Sequence, residues 1–320
     1  MKKWGLIAVR VVAIAAIAGL LFVFVFRDFD WRRLGRDLER AHLWPLAAAA
    51  ALNFVCLWGK AACWHVVLTP RYLVPTTALF RYTIAAFAAS VIAPARAGEL
   101  IRIWVLKSRH GVPIADSAAV AITEKLLDGR SMMMLVAPVP WLVPGLPAWV
   151  GRTMAACGAI ALVLFAAVWF AVGRIEPGAG GSWFARFVGG MHVVRSPRRL
   201  LLATGALMLT WFADLAMVNL VMYAVGIHLP FGAGLLVLFT LNLTIAVPST
   251  PGQVGALEAG VLAATSLLHI PNEPALAFAL LYHVLQIVPL LVVALITEAP
   301  LMFMKPTADA DADRTPQSAT

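Results

Sequence analysis

Charge is scarce in this sequence. Only 13% of its 320 residues are Asp, Glu, Lys or Arg, against 62% hydrophobic. That balance excludes a disordered chain, which needs high charge and low hydrophobicity. A large soluble catalytic domain is excluded as well: the longest polar stretch, around Gly173 to Leu200, has only about 30 residues, too few to bury a core of their own. Cysteine is nearly absent. Cys56, Cys63 and Cys157 lie in or beside apolar runs without CxxC spacing, which argues against a disulfide framework or a zinc ribbon and for core positions. Catalytic templates are missing too: no GxSxG, HExxH, P-loop or GxGxxG stands in a suitable context. No cofactor or metal is expected. The net charge of +9 is spread over short basic clusters between apolar runs; it reads as topology signalling, and no nucleic-acid partner is expected.

Long uncharged runs are what the sequence has instead. The composition lies outside the soluble range and predicts an all-α, polytopic membrane bundle. Gly5 to Phe26, broken only by Arg10, is longer than a signal-peptide core and lacks a small-residue cleavage site, so it reads as a retained span. Further spans are predicted at Leu43 to Leu68 (interrupted by Lys60), Ala115 to Leu142, Thr153 to Val172, Leu200 to Val225 and Pro274 to Ile296. These make six full crossings. Two other apolar regions are different. Tyr82 to Ala95 is short of the roughly 20 residues that a crossing takes. Leu229 to Leu257 is uncharged but broken by Pro248 and Pro251-Gly252, a break tolerated only where backbone lines a cavity or is buried in protein. Both are expected to be re-entrant helical hairpins; the alternative, eight full crossings, places the basic clusters equally well, and the shortness of Tyr82 to Ala95 favours the hairpins. Residues 1–304 are expected to form one transmembrane domain, followed by a disordered tail at 305–320.

The two hairpin regions echo each other. Pro94 and Gly98 return as Pro251 and Gly255 at a spacing of 157, and Pro113, Lys125 and Asp128 are answered by Pro271, His283 and Gln286 at 158. An odd number of spans between the units makes the repeat inverted, a transporter design that places substrate near the midplane.

Three constellations carry chemistry. In Pro94-Ala95-Arg96-Ala97-Gly98-Glu99-Leu100-Ile101-Arg102, proline stops one helix and the next begins with free N–H groups, a site suited to an anion, with Arg96 as a forked donor. Glu99 and Arg102 share a helical face and are expected either to pair or to serve substrate. Glu124, Lys125 and Asp128 interrupt an apolar helix; because charges at depth do not face lipid, the cluster is expected to present one net negative charge or to partner Arg96 or Arg102, the alternative being a helix end near the interface from which the side chains snorkel to water. Ser249, Thr250 and Gln253 supply headgroup donors, and Glu258 and His283 form a carboxyl–imidazole pair or a plain core contact. Gln286 completes the set, and Asp214 is a weaker candidate. Trp44, Trp141 and Trp183 fit an interfacial belt.

The ordered set of Pro94-x-Arg96-x-Gly98-Glu99-x-x-Arg102, Glu124-Lys125-x-x-Asp128 and Pro248-x-x-Pro251-Gly252-x-x-Gly255-x-x-Glu258 resembles the flippase-like family that includes the transmembrane region of lysylphosphatidylglycerol synthases. The resemblance runs from about Leu6 to Ile296 and departs at Lys125, where the family usually has arginine. It implies lipid handling by a stand-alone member, of the kind linked to hopanoid production or to lipid-carried sugars; the aminoacyl-transfer domain of the synthases is not expected after Met304. The expectation is a bacterial inner-membrane protein that moves an anionic or headgroup-bearing lipid between leaflets, with lipid-biosynthesis enzymes as candidate partners. Two rival readings are an intramembrane transferase using Glu99 or Glu258 as base, and a non-transporting scaffold of a lipid-synthesis complex.

Overall fold

The computed structural model describes residues 42–69, 71–92, 98–174, 183–246, 251–298 and 301, and all regular structure among them is helical. The predicted span at Gly5 to Phe26 and the tail lie outside these residues. Helix α1 spans Leu43–Leu68, α2 Thr76–Ile92, α3 Gly98–His110, α4 Ile114–Val136, α5 Val139–Leu142 and α6 Ala148–Arg174. The chain continues through α7 (Trp183–Gly190), a 3-10 segment (Met191–Arg195), α8 (Pro197–Ala224), α9 (Phe231–Ile245), a 3-10 turn (Pro251–Gln253), α10 (Ala256–Leu267) and α11 (Asn272–Thr297).

Four of these helices, α1, α6, α8 and α11, are long and apolar enough to cross a membrane. Helix α4, with 23 residues, reaches about 34 Å, but it carries the Glu124-Lys125-Asp128 cluster. The single helix expected from Ala115 to Leu142 is interrupted: α4 ends at Val136, and Pro138 starts the separate turn α5. Proline lacks the N–H that would continue the ladder, and its ring clashes with the preceding turn.

Helices α1 and α8 pack antiparallel along their whole length. The N–H of His42 reaches the carbonyl of Ala224, Thr210 Oγ1 donates to the Cys56 carbonyl, and Arg199 donates to the Thr69 carbonyl. Gly59 makes the approach close, since a Cβ there would lie 2.7 Å from the Ala206 carbonyl oxygen and collide with Thr210.

The apolar interior is divided into two clusters. One holds Leu57 and Trp64 of α1, Leu79 and Ala85 of α2, Val105 of α3, Leu127 of α4, Leu207 of α8 and Leu290 of α11. The other holds Ala49 of α1, Leu135 of α4, Leu215 of α8, Leu236 of α9, Val261 of α10 and Phe278 of α11. The long helices pass from one cluster to the other, whereas α2 and α3 contribute only to the first and α9 and α10 only to the second. The short helices, of 17, 13, 15 and 12 residues, extend about 18 to 25 Å, less than the roughly 30 Å thickness of a bilayer's hydrocarbon.

The two short pairs end alike. After α3 the chain turns at Gly111 (φ 65°) into Pro113, and after α10 it turns at His269 (φ 56°) into Pro271. Both prolines precede the next long helix with nearly the same backbone, φ −58°, ψ 145° and φ −58°, ψ 148°. Proline fits here because a helix start leaves its N–H groups unused.

Candidate functional site: a polar cavity between the two cores

A cavity of about 240 Å³ lies where the two apolar clusters meet. Its wall takes Asn53, Cys56 and Lys60 from α1, Ser90 from α2, Glu99 from α3, and Lys125 and Asp128 from α4. The lining also takes Asp214 from α8, Asn242 from α9, Gly252 and Gln253 from the 3-10 turn, and His283 and Gln286 from α11. Lys60 stands 17 residues into α1, about 25 Å from one end and 12 Å from the other. A cation at such depth is costly unless it is paired.

The pairing is extensive. Lys60 Nζ lies 2.9 Å from Asp128 Oδ2 and 3.7 Å from Glu124 Oε1. Arg102 Nη2 donates to Glu124 Oε2 at 2.9 Å, and Arg102 Nη1 to Thr83 Oγ1 at 3.3 Å. Its guanidinium carbon stands 3.7 Å from the centre of the Trp64 ring, whose Nε1 donates to the same Glu124 oxygen. Glu124 is thereby held by three side chains from two helices, α1 and α3, yet its Oε1 and Asp128 Oδ1 remain buried without a hydrogen-bond partner. Lys125 Nζ meets Glu99 Oε1 at 2.8 Å. The expected Glu99–Arg102 pair is therefore not formed: one turn of α3 sends the two side chains to different residues of α4. The expectation that the α4 cluster partners Arg102 holds through Glu124.

On the other side, His283 Nδ1 and Glu258 Oε1 are 2.6 Å apart, and His283 Nε2 is 2.7 Å from the Gly252 carbonyl. Glu258 Oε2 accepts the Gly255 N–H at 2.7 Å, closing the first turn of α10. The carboxyl–imidazole pair thus ties α11 to both the 3-10 turn and α10. The turn itself has two successive left-handed residues, Gly252 (φ 63°) and Gln253 (φ 63°). For the non-glycine residue this conformation costs about 1 to 2 kcal/mol, and it turns the chain where the α2 end approaches. A Cβ on Gly252 would lie 3.7 Å from the Val91 carbonyl oxygen.

Of the residues singled out in the sequence, Glu99, Lys125, Asp128, Gln253, His283 and Gln286 share the cavity wall. Arg102 and Glu258 stand behind it, each bonded to an adjacent carboxylate or imidazole. Gly98 serves packing: a Cβ there would lie 2.6 Å from the Ser90 backbone nitrogen. Arg96, Ser249 and Thr250 lie outside the described residues. Sequence reasoning passed over Lys60, Asn53, Asn242 and Tyr282. Lys60 gave the clearest signal, a single charge in an otherwise apolar span. Tyr282 donates its hydroxyl to Asp214, a link that no spacing rule shows. Of the cysteines, Cys63 is a core residue as expected, but Cys56 is on the cavity wall and donates to the Thr210 carbonyl at 3.4 Å.

A family model described as the transmembrane region of lysylphosphatidylglycerol synthase matches residues 8–294. The chain belongs to that family. Membership agrees with the apolar helices in making it a multi-pass membrane protein, and it takes in both short helix pairs and every cavity residue named above. A comparison with curated proteins finds no match.

Proposed function

We propose that this member of the family binds a lipid by its phosphate-bearing headgroup in the mid-depth cavity and carries it between leaflets. The observation that carries the reading is a polar, charge-lined cavity between two apolar cores, approached from one core by the end of α2 and from the other by the turn before α10. The matched turns at Gly111 and His269, and the antiparallel α1–α8 pair, support an inverted repeat in which α2–α3 and α9–α10 are re-entrant hairpins among six full spans. Such hairpins bring non-helical backbone to membrane depth where it borders a cavity.

The chemistry follows from the cations. Lys60 and Lys125 present ammonium groups to the cavity, balanced by Asp128, Glu124 and Glu99. An arriving phosphate takes one carboxylate's place on a lysine, and the displaced carboxylate is compensated by cavity water or a proton taken from it, so neither anion is left bare against hydrocarbon. The volume of about 240 Å³ is below that of drug-sized pockets and suits a headgroup whose acyl chains stay in the bilayer.

The test uses the purified full chain in vesicles carrying phosphatidylglycerol with a fluorescent acyl chain, with an outside reductant reporting leaflet exchange. Exchange should be much faster than in protein-free vesicles. It should fall at least about tenfold in Lys60→Met with Asp128→Asn, a pair that removes the cation without stranding a buried carboxylate. A labelled diacylglycerol, which lacks phosphate, should show no such dependence. Exchange no faster than in empty vesicles would overturn the reading.

A further inference from the structure

The cavity's ion pairs differ in one respect that bears on access. Side-chain exposure is 2% and 1% for Arg102 and Glu124, 13% and 15% for Lys60 and Asp128, and 41% and 29% for Lys125 and Glu99. The outermost pair is also deep: Lys125 is the twelfth of 23 residues in α4, about 16 Å from either end. It joins α3 to α4, and both of its members line the cavity. An ion pair left open at mid-depth is costly against hydrocarbon, and a closed cavity would have no use for it.

We propose that Glu99 and Lys125 form a lateral gate, through which a lipid headgroup enters the cavity between α3 and α4 at mid-depth. The proposal rests on the lipid-carrying reading above and adds the route and the exchange. Phosphate takes the place of the Glu99 carboxylate on Lys125, the freed carboxylate stays in the water of the opened mouth, and the acyl chains remain outside in the bilayer. Behind the gate the next cation is Lys60, held by Asp128 and Glu124, so the phosphate passes from an exposed cation to a shielded one. Arg102, stacked on Trp64 and bonded to Glu124, keeps that inner carboxylate in place.

Cys56 reports on the gate because its side chain is on the cavity wall. The full chain in nanodiscs is treated with N-ethylmaleimide, and the modification rate of Cys56 is followed by peptide mass spectrometry. Glu99→Gln and Lys125→Met each remove the pair and should raise the rate at least about fivefold. The exchanged variant Glu99→Lys with Lys125→Glu rebuilds the pair in reverse and should restore the slow rate. Unchanged rates in both single variants, or an exchanged variant as fast as they are, would overturn the gate. Mass measurement of the same samples tests the other occupant of this surface: a stable dimer that splits in the single variants would make the pair a subunit contact and refute the lipid route. The two readings fail separately. If Cys56 responds as expected while the parent chain exchanges no phosphatidylglycerol, the gate stands and the carrier reading falls; if lipid exchange is normal and Cys56 does not respond, the reverse holds.

Discussion

Replacing Arg102 with Met tests whether the inner charge network is structural. Arg102 is 1% exposed and holds Glu124 at 2.9 Å, Thr83 at 3.3 Å and the Trp64 face at 3.7 Å. Methionine keeps much of the stem but loses the charge. Glu124 would then retain Trp64 and a 3.7 Å approach from Lys60, which does not replace a direct guanidinium bond. Breaking a buried pair from one side typically costs about 3 to 5 kcal/mol, because the surviving charge is left uncompensated. The loss of the stacked cation adds about 1 to 2 kcal/mol. A Tm lower by about 6 °C or more is expected for detergent-purified protein. Adding Glu124→Gln removes the stranded carboxylate and should return more than half of the loss, so the two effects should fail to add by about 2 kcal/mol. A Tm within about 1 °C of the parent for Arg102→Met, or strict additivity of the two substitutions, would refute the buried network.

Gly98→Val should lower expression and Tm more than a surface change, because a side chain there meets the Ala86 and Ser90 backbone; overpacking of this kind costs about 1 to 3 kcal/mol, and parental stability by thermal unfolding would contradict the α2–α3 contact. Gln253→Gly should relieve backbone strain and leave Tm equal or about 1 to 3 °C higher, while lowering phosphatidylglycerol exchange through loss of a cavity donor; a fall in Tm would refute the strained turn. Tyr282→Phe leaves Asp214 without its hydroxyl partner and should cost about 1 to 3 kcal/mol, measured by the same melt; an unchanged Tm would show that the contact contributes nothing.

The architecture was legible where one physical rule acted alone. Apolar runs of span length gave α1, α6, α8 and α11 to within a few residues, because hydrocarbon thickness fixes how many residues a crossing needs. The two short regions stood out by the same rule, and the Pro113 and Pro271 echo marked equivalent turns. Partner choice was less legible. Helical spacing put Glu99 and Arg102 on one face, but whether they meet depends on what α4 offers across the gap, and it offers Lys125 and Glu124. Lys60 was visible only as an interruption; its role depends on α1 facing α4 at Asp128, which local pattern does not encode. Tyr282 drew no notice in the sequence, since a hydroxyl finds its acceptor through the packing of α8 against α11.

The central claim, that two hairpins enter from opposite faces and meet at one polar cavity, is tested most directly by side-specific cysteine labelling. Leu73 precedes α2 and Ser108 stands in the last turn of α3, His228 and Asn272 flank α9–α10, and all four are exposed. Single cysteines at these positions, treated with a membrane-impermeant maleimide on intact and inverted membranes, should label as two pairs. Leu73→Cys and Ser108→Cys should react from one side, and His228→Cys and Asn272→Cys from the other. Labelling of either pair from opposite sides would turn that hairpin into a crossing, and labelling of all four from one side would leave the two short helix pairs without an inverted relation.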